Sequence, residues 1–311
     1  MTYKNKVIFL VSLIAVFILM YTGSIVFSPE RRNVRTVSYV WLDRNSSSRI
    51  NKIVINTGFQ ILELVKNNNR WFVLFNGIEY PARQLRVDDF IGIFTTRSTW
   101  PIRSSNLEAH ARLGLDETAS RVTFYGDNTV LLDLLLGQTD SSVREINVRR
   151  FAHNEVRSGD ASMTVFLFSP VTSWFNLRLI PESEDGSISA EDVQRFFVYN
   201  GGETQIFTRN QRSWDISGIN VKEPDHGVIE NYLRVIINTE GDNFVNLDSH
   251  EFNHSRIVLE FGNGRITTIR FSEPDEHDLR LAHVSGRDYI YSIPSWAAQR
   301  LFRDAESFEI R

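Results

Sequence analysis

Ile53-Val54-Ile55, Ile61-Leu62-Glu63-Leu64 and Asn69-Arg70-Trp71-Phe72-Val73 follow one another early in the chain, and Phe196-Phe197-Val198, Thr204-Gln205-Ile206-Phe207 and Arg212-Ser213-Trp214-Asp215-Ile216 repeat their order later. Each series is three short apolar runs, the length of β-strands, divided by turn residues: Thr57-Gly58 and Asn67-Asn68-Asn69 in the first, Gly201-Gly202 in the second. A tryptophan stands at the same place in both. Downstream, Asn106-Leu107-Glu108-Ala109-His110 is echoed by Asn246-Leu247-Asp248-Ser249-His250. The repetition predicts a divergently duplicated module. One tryptophan contributes a large apolar area, so Trp71 and Trp214 are expected to anchor a core or a contact between lobes.

Working outward, Val87–Arg97 carries Val87, Phe90, Ile91 and Phe94 at helical spacing, with Asp88 and Asp89 in its first turn. In the second copy Asp225 can cap a helix whose shared face is Val228, Ile229, Tyr232, Leu233 and Ile236. Strands are predicted on either side of Gly126-Asp127-Asn128 and of Gly262-Asn263-Gly264. Glu145–Val148, Thr164–Phe168, Leu279–Val284 and Tyr289–Ile293 read as further strands, and a possible strand covers Val37–Leu42. Ser169-Pro170 with Trp174, and Pro294 with Trp296, read as matching helix starts. The fold class expected is α+β, an N-terminal transmembrane helix followed by two tandem lobes, each a mainly antiparallel β-sheet with one or two helices. The boundaries are 1–28 for the anchor, 29–49 for a connector, 50–180 for the first module, 181–192 for an acidic linker built on Pro181–Ser187, and 193–311 for the second module.

The anchor rests on Val7–Phe27, an uncharged and largely apolar run long enough to cross a bilayer as a helix. Lys4 and Lys6 precede it and Arg31, Arg32 and Arg35 follow, so charge alone leaves its orientation open. A short inside tail with a large outside body is the expected arrangement: a single pass of the inner membrane with the C-terminal body facing the periplasm or exterior. A cleaved signal peptide ending near Thr22-Gly23-Ser24 is the alternative; the apolar run continues through Ile25-Val26-Phe27 and favours retention.

The 311 residues allow about two domains, and 42% hydrophobic content suffices for ordinary cores. A net charge of −4 gives no footprint for nucleic acid. The absence of cysteine removes disulfides, thiolate metal sites and cysteine nucleophiles.

The chemistry-bearing candidates are few. His250-Glu251-Phe252-Asn253-His254 has the H-E-x-x-H spacing, which on a helix places two imidazoles on one metal with a glutamate as base. The segment is short, a strand is expected from Arg256, and the first copy reads His110-Ala111-Arg112-Leu113-Gly114. Its metal candidates are therefore His250 and His254, with Glu260 or Glu273 as a nominal third ligand. His277 and His283 lie near Asp275, Glu276 and Asp278, a second cluster that loop polarity also explains. Arg144, Arg149, Arg150 and Arg157 form a modest basic cluster able to meet an acidic partner. No Gly-rich phosphate loop and no nucleophile elbow occurs. The expected protein is no enzyme, with no catalytic residue and no cofactor. A zinc hydrolase built on His250, Glu251 and His254 and a glycan-binding module using Trp41 or Trp100 are the alternatives.

Ala111-Arg112-Leu113-Gly114-Leu115-Asp116, then Arg121-Val122-Thr123-Phe124, Leu134-Leu135-Leu136-Gly137 and Asn147-Val148-Arg149 form a series that resembles the bacterial domain-of-unknown-function family four-three-four-zero. The resemblance covers about residues 50–180 well and the second module loosely, where His250-Glu251-Phe252 replaces the Leu-Gly-Leu step. It implies a membrane-tethered extracytoplasmic protein that accompanies ABC-type or gliding-associated transporter components, with a transporter permease as partner. It brings no catalytic residue.

Overall fold

The computed structural model describes residues 38–139, 144–180, 188–245 and 251–310, together with Ile14, Val16, Phe17, Met20 and Tyr21. These five are helical, and most of the expected anchor and its flanks lies outside the described residues. Among the described residues no helix is long and apolar enough to cross a membrane, which says nothing of crossing by a β-barrel. The chain divides into two compact units, Met1–Phe175 and Asn176–Arg311. Both are mostly β-sheet with a few helices.

In the first unit the strands are β1 (Ser38–Tyr39), β2 (Lys52–Asn56), β3 (Ile61–Asn67), β4 (Arg70–Phe75), β5 (Ile78–Pro81), β6 (Ser98–Thr99), β7 (Ile102–Ser104), β8 (Ser120–Gly126), β9 (Thr129–Thr139), β10 (Glu145–Arg150) and β11 (Val156–Asp160). Nine of them form one antiparallel sheet in the order β5-β4-β3-β2-β8-β9-β10-β11-β7, and β1 pairs with β6. Helix α1 (Gln84–Thr95) connects the two halves of the sheet and buries Val87, Phe90 and Phe94. A helix of this length is marginal alone. Each fully buried apolar side chain contributes about 1.5–3 kcal/mol, so packing, not propensity, holds it. Phe90 packs on Phe124 and Trp174 with ring centroids 6.0 and 5.7 Å away, and Phe94 lies 5.2 Å from Phe124.

The second unit contains β12 (Val193–Asn200), β13 (Glu203–Asn210), β14 (Ser213–Ser217), helix α2 (His226–Asn238), β15 (Asn243–Val245), β16 (Ser255–Phe261), β17 (Ile266–Phe271), β18 (Arg280–Val284), β19 (Ile290–Ile293) and helix α3 (Ser295–Leu301). Its antiparallel sheet has the order β14-β13-β12-β16-β17-β18-β19-β15. Strand for strand this is the order of the first sheet without β5. Asp225 caps α2 as its sequence predicts, its carboxylate accepting from the Gly227 and Val228 N–H groups. Ile229, Tyr232, Leu233 and Ile236 are buried beneath it.

The correspondence extends to single hydrogen bonds. The Trp71 N–H donates to Gln84 Oε1 at 2.9 Å, and the Trp214 N–H to His226 Nδ1 at 3.2 Å. The Arg83 N–H donates to the Trp174 carbonyl and the Asp225 N–H to the Phe308 carbonyl, both at 2.8 Å. Trp71 and Trp214 are core residues. An acceptor at Nδ1 places the His226 proton on Nε2. His226→Ala should therefore cost about 1 kcal/mol and speed amide exchange at Trp214, whereas His226→Gln should keep both, because Gln84 already serves this position in the first unit.

Four expectations are corrected. Thr164–Phe168 is not a strand. The Asp160 carboxylate accepts from the Ser162 N–H at 2.7 Å and starts a helical turn at Ala161, and Thr164–Leu167 continues it as helix. That bond also holds the Asp160 carboxyl below its ordinary pKa. The strand instead is β11, whose Val-Arg-Ser-Gly-Asp sequence carries little apolar signal. Gly159 is needed there, since a Cβ would stand 2.2 Å from the Trp100 ring. Second, of the expected Val37–Leu42 strand Val37 lies outside the described residues, and among the rest only Ser38–Tyr39 pairs as a strand; Trp41 and Leu42 turn inward, both N–H groups donating to the Phe94 carbonyl. Third, the residue of the second unit equivalent to Trp174 is Phe308, not Trp296, which is exposed. Fourth, the division between units precedes the acidic segment. Leu177 and Leu179 are buried and bond to Gly241 and Thr239 of the second unit, while Pro181–Ser187 lies outside the described residues.

Candidate functional site

The H-E-x-x-H stretch precedes β16. His250 lies outside the described residues, and Glu251–His254 is irregular chain. Two imidazoles one helical turn apart require a helix, which these four residues do not form. His254 and Glu251 line an open cleft of about 690 Å³ with Asn253, Ser272, Glu273, Asp275, Leu279 and Leu281. His254 Nδ1 stands 3.8 Å from the exposed Glu273 carboxylate, a loose surface pair. Among the described residues no three His, Asp or Glu side chains converge where a metal ion would sit. Glu260 lies within β16 and lines none of this cleft.

The second cluster is spent on turns. Asp275 accepts from the Leu279 and His277 N–H groups at 2.8 and 2.9 Å, which holds its carboxyl below the ordinary value. His277 is exposed, 3.6 Å from Glu276. His283 Nε2 bonds the Arg287 carbonyl at 2.9 Å. Asp278 occupies a left-handed turn position at φ 57. Asp275 and Asp278 thus shape the β17–β18 connection and His283 braces the β18–β19 turn.

The basic cluster is drawn inward. The Arg157 side chain is buried: Nη1 donates to the Trp100 carbonyl at 2.8 Å, Nε to Glu155 at 2.8 Å, and its Cζ lies 3.9 Å from the Tyr39 ring centroid. Arg150 Nη2 donates to the Trp41 carbonyl at 2.6 Å. Arg149 donates to the His153 carbonyl, and burial lowers its pKa. Arg144 has partners of its own. Three of these arginines thus fasten chain to chain, and two of them hold the segment that enters the first sheet. Trp41 and Trp100, the expected glycan stackers, are 3% exposed and pack edge to face at 5.2 Å, so neither face is open to a sugar.

Three of the residues that carry the resemblance, Leu113, Leu115 and Leu135, share one packing cluster. Leu115, Leu135 and Val156 form a small core with Leu113 and Ala119 against it. The Leu113 carbonyl accepts from Asn147 Nδ2 at 3.2 Å, and a Cβ on Gly137 would lie 2.3 Å from that carbonyl. Leu113, Gly137 and Asn147 thus meet at one close approach of backbone, with Asn147 hydrogen-bonded to it.

What sequence reading missed is a set of exposed apolar side chains on the first unit: Phe59, Ile61, Leu85, Val165 and Phe168. A phenylalanine beside Gly58 at a hairpin tip was the available signal, since turn tips are ordinarily polar. Comparison with protein families, curated proteins and solved structures finds no match.

Proposed function

We propose that this chain is a non-enzymatic, membrane-anchored extracytoplasmic accessory protein that binds a transporter permease or related subunit. The observation that carries the reading is the uncharged run Val7–Phe27, long enough to span a bilayer as a helix. The two units support a binding role: sheets of the same strand order, with shared hydrogen bonds at the helix starts, fit a divergent duplication that presents two related surfaces. The resemblance to family four-three-four-zero supports an ABC-type transporter as the associated complex. The duties of Arg157, Arg150 and Asp275 support scaffold over chemistry, because each charged group already has a structural partner.

Crosslinking in intact cells, followed by purification of the chain in detergent, tests this. An integral membrane transporter subunit is the expected product. Recovery of the chain alone, or of soluble partners only, would refute the association.

A further inference from the structure

Five of the large apolar side chains that the first unit exposes lie on segments bonded to one another: Phe59 is 96% exposed, Leu85 80%, Ile61 60%, and Val165 and Phe168 58% each. Hydrogen bonds bring their segments together. Gln60, between Phe59 and Ile61, donates through Nε2 to the Leu167 and Ser169 carbonyls at 3.4 and 2.9 Å, on either side of Phe168. Arg86, next to Leu85, donates through Nη2 to the Val165 carbonyl at 2.9 Å. The hairpin tip and the two segments that carry the other side chains are thereby fastened together, and apolar residues gathered in this way are seldom left uncovered on monomeric soluble proteins.

The second unit serves as an internal control. Pairing Ile53 with Phe196 and Trp71 with Trp214 puts Gly202 at the place of Phe59 and Thr204 at that of Ile61. Matching Gln84 to His226 puts Gly227 at Leu85. Counting back from Trp174 and Phe308 puts Gln299 at Val165 and Phe302 at Phe168. Phe302 alone stays aromatic, and it packs on Phe271 at 5.1 Å. The fold therefore does not require large apolar residues at four of these five places, which only the first unit fills with them.

We propose that this surface lies on the membrane, with Phe59 and its neighbours inserted among lipid headgroups. The proposal rests on the anchor reading above. Ten residues separate Phe27 from Ser38, where the described body begins. Such a connector reaches at most about 35 Å, so the first unit stays beside the bilayer. A projecting tip of Phe with Leu, Ile and Val fits a deformable apolar solvent, as interfacial segments do.

The chain has no cysteine, so single labels can be placed on the full-length protein. Phe59→Cys, Glu203→Cys at the equivalent tip and Phe17→Cys in the apolar run each carry an environment-sensitive dye. All are reconstituted in phosphatidylethanolamine–phosphatidylglycerol vesicles containing a nitroxide lipid. Blue-shifted, quenched emission at Phe59→Cys with water-like emission at Glu203→Cys is the expected result. Quenching at Phe17→Cys with water-like emission at Phe59→Cys overturns the proposal and leaves the anchor standing. Unquenched Phe17→Cys overturns the anchor, and quenched Phe59→Cys in that case still supports lipid contact by the patch. Blue-shifted but unquenched Phe59→Cys means protein contact and also overturns the proposal.

Discussion

Trp214→Ala should destabilise the second unit by about 3–5 kcal/mol, the usual cost of truncating a large buried aromatic. The Trp214 ring is 2% exposed and packs edge to face on Phe196 at 5.3 Å, which stacks in turn on Phe207 at 4.2 Å. Its indole N–H donates to Glu230 Oε2 at 3.0 Å, and that same oxygen accepts from Arg209 at 3.2 Å, whose guanidinium lies 4.3 Å from the ring centroid. Alanine leaves a cavity and removes one of two donors to a half-buried carboxylate. Trp214→Phe keeps most of the volume and loses only the donor, so a smaller cost of about 1–2 kcal/mol is expected. Amide exchange across β12–β14 checks both. If Trp214→Ala leaves protection unchanged, the tryptophan does not anchor this core.

Much of this scaffold was legible in the sequence because it depends on local patterns. The strand runs about Trp71 and Trp214 fall in β2–β4 and β12–β14, and the Asp225 cap with its spaced apolar residues falls on α2. Such signals come from period and turn chemistry within a few residues. The failures needed long-range information. β11 is buried by Trp100, which lies far from it in sequence, so polar Arg157 and Ser158 occupy an interior strand. Thr164–Leu167 has β-branched and aromatic residues suited to a strand, and a single carboxylate bond from Asp160 redirects it to helix. The site candidates misled for a related reason. Trp41, Trp100 and the arginines look like surface chemistry one residue at a time, and only the fold turns them toward each other. The exposed patch was hidden because its five residues come from three separated segments.

Arg157→Ala should weaken the first unit by about 1–3 kcal/mol, because it removes the side-chain donor that the Trp100 carbonyl holds in the interior. The Trp100 carbonyl and the Glu155 carboxylate each lose a donor, and Tyr39 loses the cation lying over its ring. Arg157→Lys should not restore the loss. One ammonium cannot reproduce a planar fork that serves a carbonyl and a carboxylate while stacking on an aromatic. The consequence reaches function through β1. Ser38–Tyr39 pairs with Ser98–Thr99 by two residues only, so ahead of the Trp41 and Leu42 bonds to the Phe94 carbonyl its hold rests on Arg157 over Tyr39, with Arg150 at the Trp41 carbonyl behind it. Freeing that segment lengthens the tether between the apolar run and the sheet. Limited proteolysis of the full-length protein in membranes should then cleave Arg157→Ala between residues 36 and 44 much faster than the parent, with β2–β4 amides still protected. Equal cleavage of the two proteins would mean that the clasp does not set the tether length. Because the proposed lipid contact of Phe59 needs the first unit held near the bilayer, a longer tether should also reduce quenching at Phe59→Cys without altering it at Phe17→Cys.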